Sequence, residues 1–449
     1  MEGILQSLDR TPHVDASEAT HSAVDKMRRL LNENRSGKRG GIYSVCSANR
    51  LVLEAAFAQA GQDQSPLLIE ATCNQVNQDG GYTGMTPAQF RDYVYSIAQD
   101  MKFPREMLIL GGDHLGPNPW RAQPAAFAME KACVMIAAYA EAGFSKIHLD
   151  ASMSCADDPK PLPSEQIAER AARLCEVAES VASSSVDKPV YVIGTEVPTP
   201  GGAQEEMEIE VTTTASLKET LDVHREAFSR RNLSSAWNRI VGVVVQPGVE
   251  FGNETVADYV PEKASELIAS ILQHEGIVFE AHSTDYQTAE SLRQLVNGHF
   301  GILKVGPELT FQMREAIFGL ARVEEEWIAE ENRSNIREVI ERVMLEHPEN
   351  WSVYYHGDAN QLRFARSYSY SDRIRYYWPN AEISKALDLL IHNLQASPAP
   401  LPLVAQYLPR QADAIRAGAI KHNPISIIHH KVRESLSRYA DACGFLASK

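Results

Sequence analysis

Leu108-Ile-Leu-Gly-Gly-Asp-His114 (LILGGDH, residues 108–114) is an apolar run closed by two reactive side chains, and the same design recurs along the first two-thirds of the chain. The companion runs are GIYSVCS (41–47), PLLIEAT (66–72), KIHLDAS (146–152), VYVIGTE (190–196), VGVVVQP (241–247), IVFEAHS (277–283) and ILKVGPE (302–308). Strands buried on both faces read as continuous rather than alternating apolar stretches. Each run is followed by a loop and a helix-like stretch, so the spacing predicts strands near 41–47, 66–72, 108–114, 146–152, 189–197, 240–248, 277–284 and 302–309. Between them, 125–142, 164–183 and 261–274 have helical character. Eight successive βα units favour closure into a TIM (β/α)8 barrel over an open doubly wound sheet. No G-x-G-x-x-G follows any run, which also argues against dinucleotide binding.

Local signals refine the plan. Thr86-Pro87-Ala88-Gln89 has the residues of a capping box with Pro at the first helical position. Gly61 is expected to end the helix that follows the first strand. Residues 1–40 form a polar lead-in with one helix, 41–344 the barrel, and 345–449 a mainly helical extension whose Tyr- and Arg-dense segment precedes a Pro-rich connector. The Gly- and acid-rich insertion PTPGGAQEEMEIEVTTTAS after strand five is expected to lie over the rim.

Composition narrows the function. A net charge of -16 argues against nucleic acid, which needs clustered Lys and Arg. No apolar stretch approaches the roughly 20 residues of a membrane helix. The N-terminal stretch lacks a basic start followed by an apolar core, so a cytoplasmic protein is expected. Six cysteines without C-x-x-C or zinc-finger spacing read as reduced thiols.

A barrel gathers reacting groups on the rim formed by its C-terminal strand ends. That places Glu70, Asp113, His114, Asp150, Glu196, Gln246, His282 and Lys304 near one another, with Asn74 in the long Gly-rich loop after strand two and Ser283 after strand seven. His114 and His282, with Glu196 and Gln246 as oxygen donors, form a candidate set for a divalent metal, zinc or a harder ion such as manganese. Asp113 or Glu196 is the candidate proton-transfer residue. Glu70, Asn74, Asp150, Ser283 and Lys304 are candidate substrate contacts. The plainer alternative for a strand-end His is a hydrogen-bonded packing residue, and for His148, inside its strand, that reading is preferred. Glu280 reads as a paired structural carboxylate, and Lys304 as the cation neutralising Glu196 and Asp150. Ser283, Thr284, Arg363, Arg366, Arg373 and Arg375 are candidate phosphate donors, although the Tyr/Arg segment equally suits an oligomer interface.

The motifs GIYSVCSAN (41–49), LLIEATCNQVNQDGGYTGMTP (67–87), GGDHLGPNPW (111–120), HLDASM (148–153), FEAHSTDYQ (279–287) and YSYSDRIRYYWP (368–379) resemble the GatZ/KbaZ family. So do IGTEVPTPGG (193–202), VVQPGVEFG (244–252) and LKVGPELTF (303–311). The resemblance implies a TIM barrel serving as accessory subunit of class II tagatose-bisphosphate aldolase, acting in galactitol or N-acetylgalactosamine catabolism beside a catalytic partner subunit. It also implies an oligomeric assembly and a ketose or ketose-phosphate ligand. More distantly the chain is similar to the catalytic class II aldolases, whose Asp-His after strand three matches Asp113-His114. Glu196 and His282 match in the same way, but Gln246 stands where those enzymes carry a metal-binding His. Glutamine is the weaker ligand, which favours an accessory role. The alternative is a metal-dependent ketose or ketose-phosphate epimerase or aldolase acting alone. Some relatives carry the name tagatose-6-phosphate kinase, but no Walker A or kinase Gly-rich loop supports use of a nucleotide.

Overall fold

The computed structural model describes residues 22–182, 188–197 and 209–446. Eight parallel strands close a barrel: β1 (Ile42–Val45), β2 (Leu67–Thr72), β3 (Leu108–Leu115), β4 (Lys146–Leu149), β5 (Val190–Ile193), β6 (Ile240–Val245), β7 (Val278–Ala281) and β8 (Phe300–Val305). Each strand pairs with its neighbours in sequence, and β8 closes on β1. All eight expected strands are present. The eighth starts and ends earlier than expected, because Pro307 takes the first position of the helix Pro307–Trp327 rather than extending the strand. A short antiparallel ribbon, Glu250–Phe251 with Val256–Ala257, follows β6. Most of the insertion after β5 lies outside the described residues.

The helix Pro87–Asp100 has the expected capping box, Thr86 and Gln89 satisfying each other's backbone N–H groups. Gly61 does not end its helix. The helix runs Arg50–Asp63, and Gln64 takes the left-handed cap at φ 52°. No helix among the described residues is long and apolar enough to cross a membrane.

The barrel's two ends are sealed differently. Below, the helix Ala23–Arg35 lays Val24, Met27 and Leu31 against an apolar layer that includes Ile42, Leu68, Ile109, Val190 and Ile302. Asn34 fixes it by donating to the carbonyls of Gly40 (2.8 Å) and Val296 (2.7 Å). Above, the strand ends open into a cavity roofed by the C-terminal extension. That extension is helical, and the 344/345 division falls inside the helix Ile336–Glu346. Its last helix, Pro424–Ala442, returns to the barrel wall. Tyr439 packs beside Tyr43 of β1 with ring centroids 6.2 Å apart and donates its hydroxyl to the Thr284 carbonyl at 2.7 Å.

Two tight corners hold the upper rim. Gly116 follows β3, where an added Cβ would lie 1.5 Å from the Asp150 carbonyl oxygen. Gly116→Ala is expected to destabilise the protein by ~3 kcal/mol or more in urea titration, because backbone rather than a flexible side chain must yield. Asp285, after β7, accepts the Gly306 and Glu308 backbone N–H groups, both at 2.9 Å, at the start of the helix after β8. Burial, reinforced by the neighbouring Glu308 carboxylate, pushes Asp285 up to about 7. A carboxyl that holds its proton more tightly folded than unfolded gives stability that is complete below its unfolded pKa, roughly 4, and fades as pH rises through about 7. Asp285→Asn keeps an acceptor oxygen, so melting temperature measured against pH is expected to lose that decline and to exceed wild type at pH 8.

Candidate active site

The middle of the barrel is filled by ions. Glu70 of β2 and Glu280 of β7 are wholly buried, and so is Lys146 of β4, which lies between them. The Lys146 ammonium is 2.6 Å from Glu70 Oε1 and 2.7 Å from Glu280 Oε2. Gly111 explains how the chain permits this. It sits in register between Glu70 and Lys146, and a Cβ there would lie 2.5 Å from Glu70 Oε1. Lys304 of β8 contacts the other Glu70 oxygen and lies 3.0 Å from Asp113 Oδ1.

Three imidazoles stand over this layer, with centroids 4.8 to 5.3 Å apart. His148 Nδ1 is 3.0 Å from Asp113 Oδ1, His114 Nδ1 is 2.8 Å from Asp150 Oδ2, and His282 Nε2 is 3.0 Å from Glu280 Oε1. Asp150 is fixed in turn by the Ser152 backbone N–H at 3.0 Å and hydroxyl at 2.6 Å. His114 adopts a left-handed φ of 50°, a conformation uncommon outside glycine and one that concentrates at functional sites.

The electrostatics separate these groups. Burial opposes charge on His114, but Asp113 and Asp150 overcome it and push its pKa up to about 9. Burial lowers His282, which therefore stays neutral near pH 7. Burial alone would raise Glu280, yet the Lys146 ammonium holds it at about 2. Asp113 and Asp150 are held well below the usual carboxylate range against their burial, chiefly by neighbouring imidazoles. Burial brings Lys304 down to about 8.

A cavity of about 930 Å3 opens above this floor. Asp113, His114, His282 and Lys304 reach it from below, and Asn74 and Ser283 line its side. Arg375, Tyr376 and Trp378 of the C-terminal extension complete the wall.

The fold thus brings Glu70, Asp113, His114, Asp150, His282 and Lys304 into one cluster, with Asn74 and Ser283 on the cavity wall. It does not bring Glu196 and Gln246 to that cluster. Glu196 is exposed and accepts the Thr212 hydroxyl at 2.6 Å. Gln246 spends its side-chain oxygen on the N–H groups of Gly248 (2.8 Å) and Val249 (3.0 Å), closing its own turn. Lys304 pairs with Glu70 and Asp113 instead of Glu196 and Asp150. His148, read from sequence as a packing residue, belongs to the cluster, as does Glu280. Lys146 was missed altogether. Its signal is the period of two, which turns Lys146 and His148 to the same inward face of β4.

Asp113, His148, Glu280 and His282 each offer a ligand atom within 4.8 Å of the others. His148 Nε2 is buried and has no hydrogen-bond partner. This mixed N and O set is compatible with a divalent metal.

Residues 27–444 match the family model described as D-tagatose-1,6-bisphosphate aldolase subunit GatZ/KbaZ-like. The crystal structure of a probable tagatose 6 phosphate kinase from Sinorhizobium meliloti 1021 is 49% identical, covering 90% of this chain and 100% of that one, with a TM-score of 0.83. Fainter likenesses are to fructose-bisphosphate aldolase from Campylobacter jejuni, at 14% identity over 84% of this chain and 94% of that one with TM-score 0.45. The YdjI aldolase from Escherichia coli K12 follows at 11% identity over 83% and 96%, with TM-score 0.40. From its ion-filled barrel to its roofing extension, this chain belongs to the GatZ/KbaZ-like family of D-tagatose-1,6-bisphosphate aldolase subunits.

Proposed function

We propose that the chain is the accessory subunit of a cytoplasmic class II D-tagatose-1,6-bisphosphate aldolase, serving galactitol or N-acetylgalactosamine catabolism. In this reading it assembles with a catalytic partner subunit and holds a ketose or ketose phosphate in its cavity. The observation that carries the reading is the lysine-paired floor. Lys146 lies between Glu70 and Glu280, and Lys304 contacts Glu70 and Asp113, so two fixed ammonium groups already supply most of the positive charge these three carboxylates need. A divalent ion binding Asp113 and Glu280 must compete with both. Gln246, at the position of a catalytic metal-binding His, has its oxygen committed to its own turn. The arrangement suits a polyol instead. Each sugar hydroxyl both donates and accepts, and the floor presents the Asp113 carboxylate and the Lys304 ammonium side by side to the cavity.

A second reading, a metal-dependent ketose or ketose-phosphate epimerase or aldolase acting alone, is favoured by the unpartnered His148 Nε2. His148, Glu280 and His282 would hold the ion, which would supply Lewis-acid polarisation of a substrate carbonyl. Within that reading Asp113 and Glu196 remain the candidates for proton transfer. Asp113 is the better placed, since it lies at the cavity floor with Lys304 beside it. His114, Glu196, Gln246 and His282 form the ligand set taken from strand ends alone, and Glu196 and Gln246 are bonded outside the cluster. A kinase reading has no Walker A sequence or kinase Gly-rich loop behind it.

The purified chain alone is expected to hold less than stoichiometric zinc or manganese by elemental analysis and to leave tagatose 1,6-bisphosphate uncleaved. Mixed with a class II catalytic subunit, it should co-elute and raise that subunit's melting temperature. Stoichiometric metal with turnover by the isolated chain would defeat the accessory reading and establish the second. The floor has its own test. Lys146→Met leaves Glu70 and Glu280 buried without their shared cation, and urea titration is expected to show a loss of about 3–5 kcal/mol. A loss below about 1 kcal/mol would mean that the lysine is dispensable to the floor.

A further inference from the structure

We infer that Arg375, flanked by Tyr376 and Tyr82, is the phosphate subsite of the cavity, and that the ligand is therefore a phosphorylated ketose whose sugar lies toward the ionic floor. The inference rests on the reading that the floor receives a sugar, and it adds the ligand's charged end.

The case begins with arginines that lack anions. Of the sequence candidates, Arg366 is paired with Glu341 at 2.5 Å and Arg363 is exposed. Arg373 and Arg375 have no carboxylate within 4.0 Å among the described residues. The one acidic side chain between Tyr370 and Tyr376, Asp372, is taken by Arg314 Nε at 3.0 Å. Arg373 is only 2% exposed, lies over the Tyr354 ring at 3.1 Å, and has an Nε–H without an acceptor. Two guanidinium groups, partly or wholly withdrawn from water, thus stand without a counter-charge, an arrangement that is costly unless an anion completes it.

The donors left over point to the shape of that anion. Arg375 Nη1 donates to the Ser371 carbonyl and, at 3.3 Å, to that of Asp372, while Nη2 donates to the Tyr376 hydroxyl at 3.0 Å. Of five guanidinium N–H groups, this leaves Nε–H and one Nη2–H without a protein acceptor. Two donors left on one guanidinium are what a phosphate, with several acceptor oxygens, can take up together. Arg375, Tyr376 and Tyr82 all line the cavity, and the two phenol rings meet edge to face with centroids 4.9 Å apart. Arg373 lies 5.4 Å from the Tyr376 ring, so a second cation adds its field to the same corner.

The more usual place is already filled. Phosphates in (β/α)8 barrels commonly sit in the loops after strands 7 and 8, at a helix N-terminus. Here Asp285 supplies its own carboxylate oxygen to the Gly306 and Glu308 N–H groups. An external dianion there would meet Asp285 and the buried Glu308, whereas at Arg375 it meets unpaired cations.

The test is calorimetric titration of the full-length chain with inorganic phosphate, D-tagatose 1,6-bisphosphate and unphosphorylated D-tagatose. Arg375→Gln is expected to weaken phosphate and bisphosphate roughly 10- to 100-fold while leaving free tagatose unchanged. Arg375→Lys, which keeps the charge but loses the paired guanidinium donors, should fall between and guards against a folding defect in the first variant, checked by melting temperature. Lys304→Met is expected to lose tagatose but to keep inorganic phosphate. If phosphate binds through Arg375 and free tagatose binds nowhere, the floor reading fails and the subsite stands. Equal phosphate affinity in wild type and a folded Arg375→Gln, or no binding of phosphate by wild type at tens of millimolar, overturns the inference.

Discussion

Lys146 is the side chain on which this architecture turns. Its ammonium joins Glu70 and Glu280 across the barrel, where none of the three meets solvent. Withdrawing such groups from water is expensive, and their mutual attraction compensates only when geometry and charge count both match. Lys304 brings the count closer to a match, adding a second ammonium from β8 that contacts Glu70 and reaches Asp113. The pairing in turn demands space, which Gly111 provides by having no side chain between β2 and β4. Barrels of this class usually fill the same volume with layers of branched aliphatic residues. In this chain the aliphatic layer lies below, sealed by the N-terminal helix, and the ionic layer takes the level next to the cavity.

That division of the barrel into a dry lower half and a charged upper half explains the imidazoles. Each of the three is oriented by a carboxylate, and each carboxylate is tied elsewhere: Asp113 to Lys304, Asp150 to Ser152, Glu280 to Lys146. Their protonation states diverge as a result. His114 is held charged by Asp113 and Asp150, while burial keeps His282 neutral. Proton donors and acceptors therefore coexist within a few ångströms at neutral pH, a distribution that can recognise hydroxyl groups and support proton transfer.

The C-terminal extension contributes more than cover. Its last helix completes the wall beside β1 and locks the β7 corner through Tyr439 and Thr284. Its Tyr- and Arg-rich segment carries positive charge to the cavity wall, over a floor whose lysines are already occupied. Ser435 ties the same helix to Glu308 at 2.6 Å, at the start of the helix that Asp285 caps. Roof, wall and upper rim are in this way parts of one hydrogen-bonded structure.

The sequence alone determined the eight strands, because strands buried on both faces read as predominantly apolar runs, each followed by a loop and a helix. It also determined that Asp113, His114, His282 and Lys304 share a rim, since parallel strands in a closed ring bring all their C-terminal ends together. What it could not supply was height and partner. A period of two says that Lys146 and His148 face inward, but strand tilt and stagger decide which inward residues from other strands stand level with them. Only closure set Lys146 between Glu70 and Glu280, moved His148 from packing residue to member of the cluster, and left Glu196 and Gln246 bonded elsewhere. Those outcomes depend on distances between strands remote in the chain, fixed when the barrel closes.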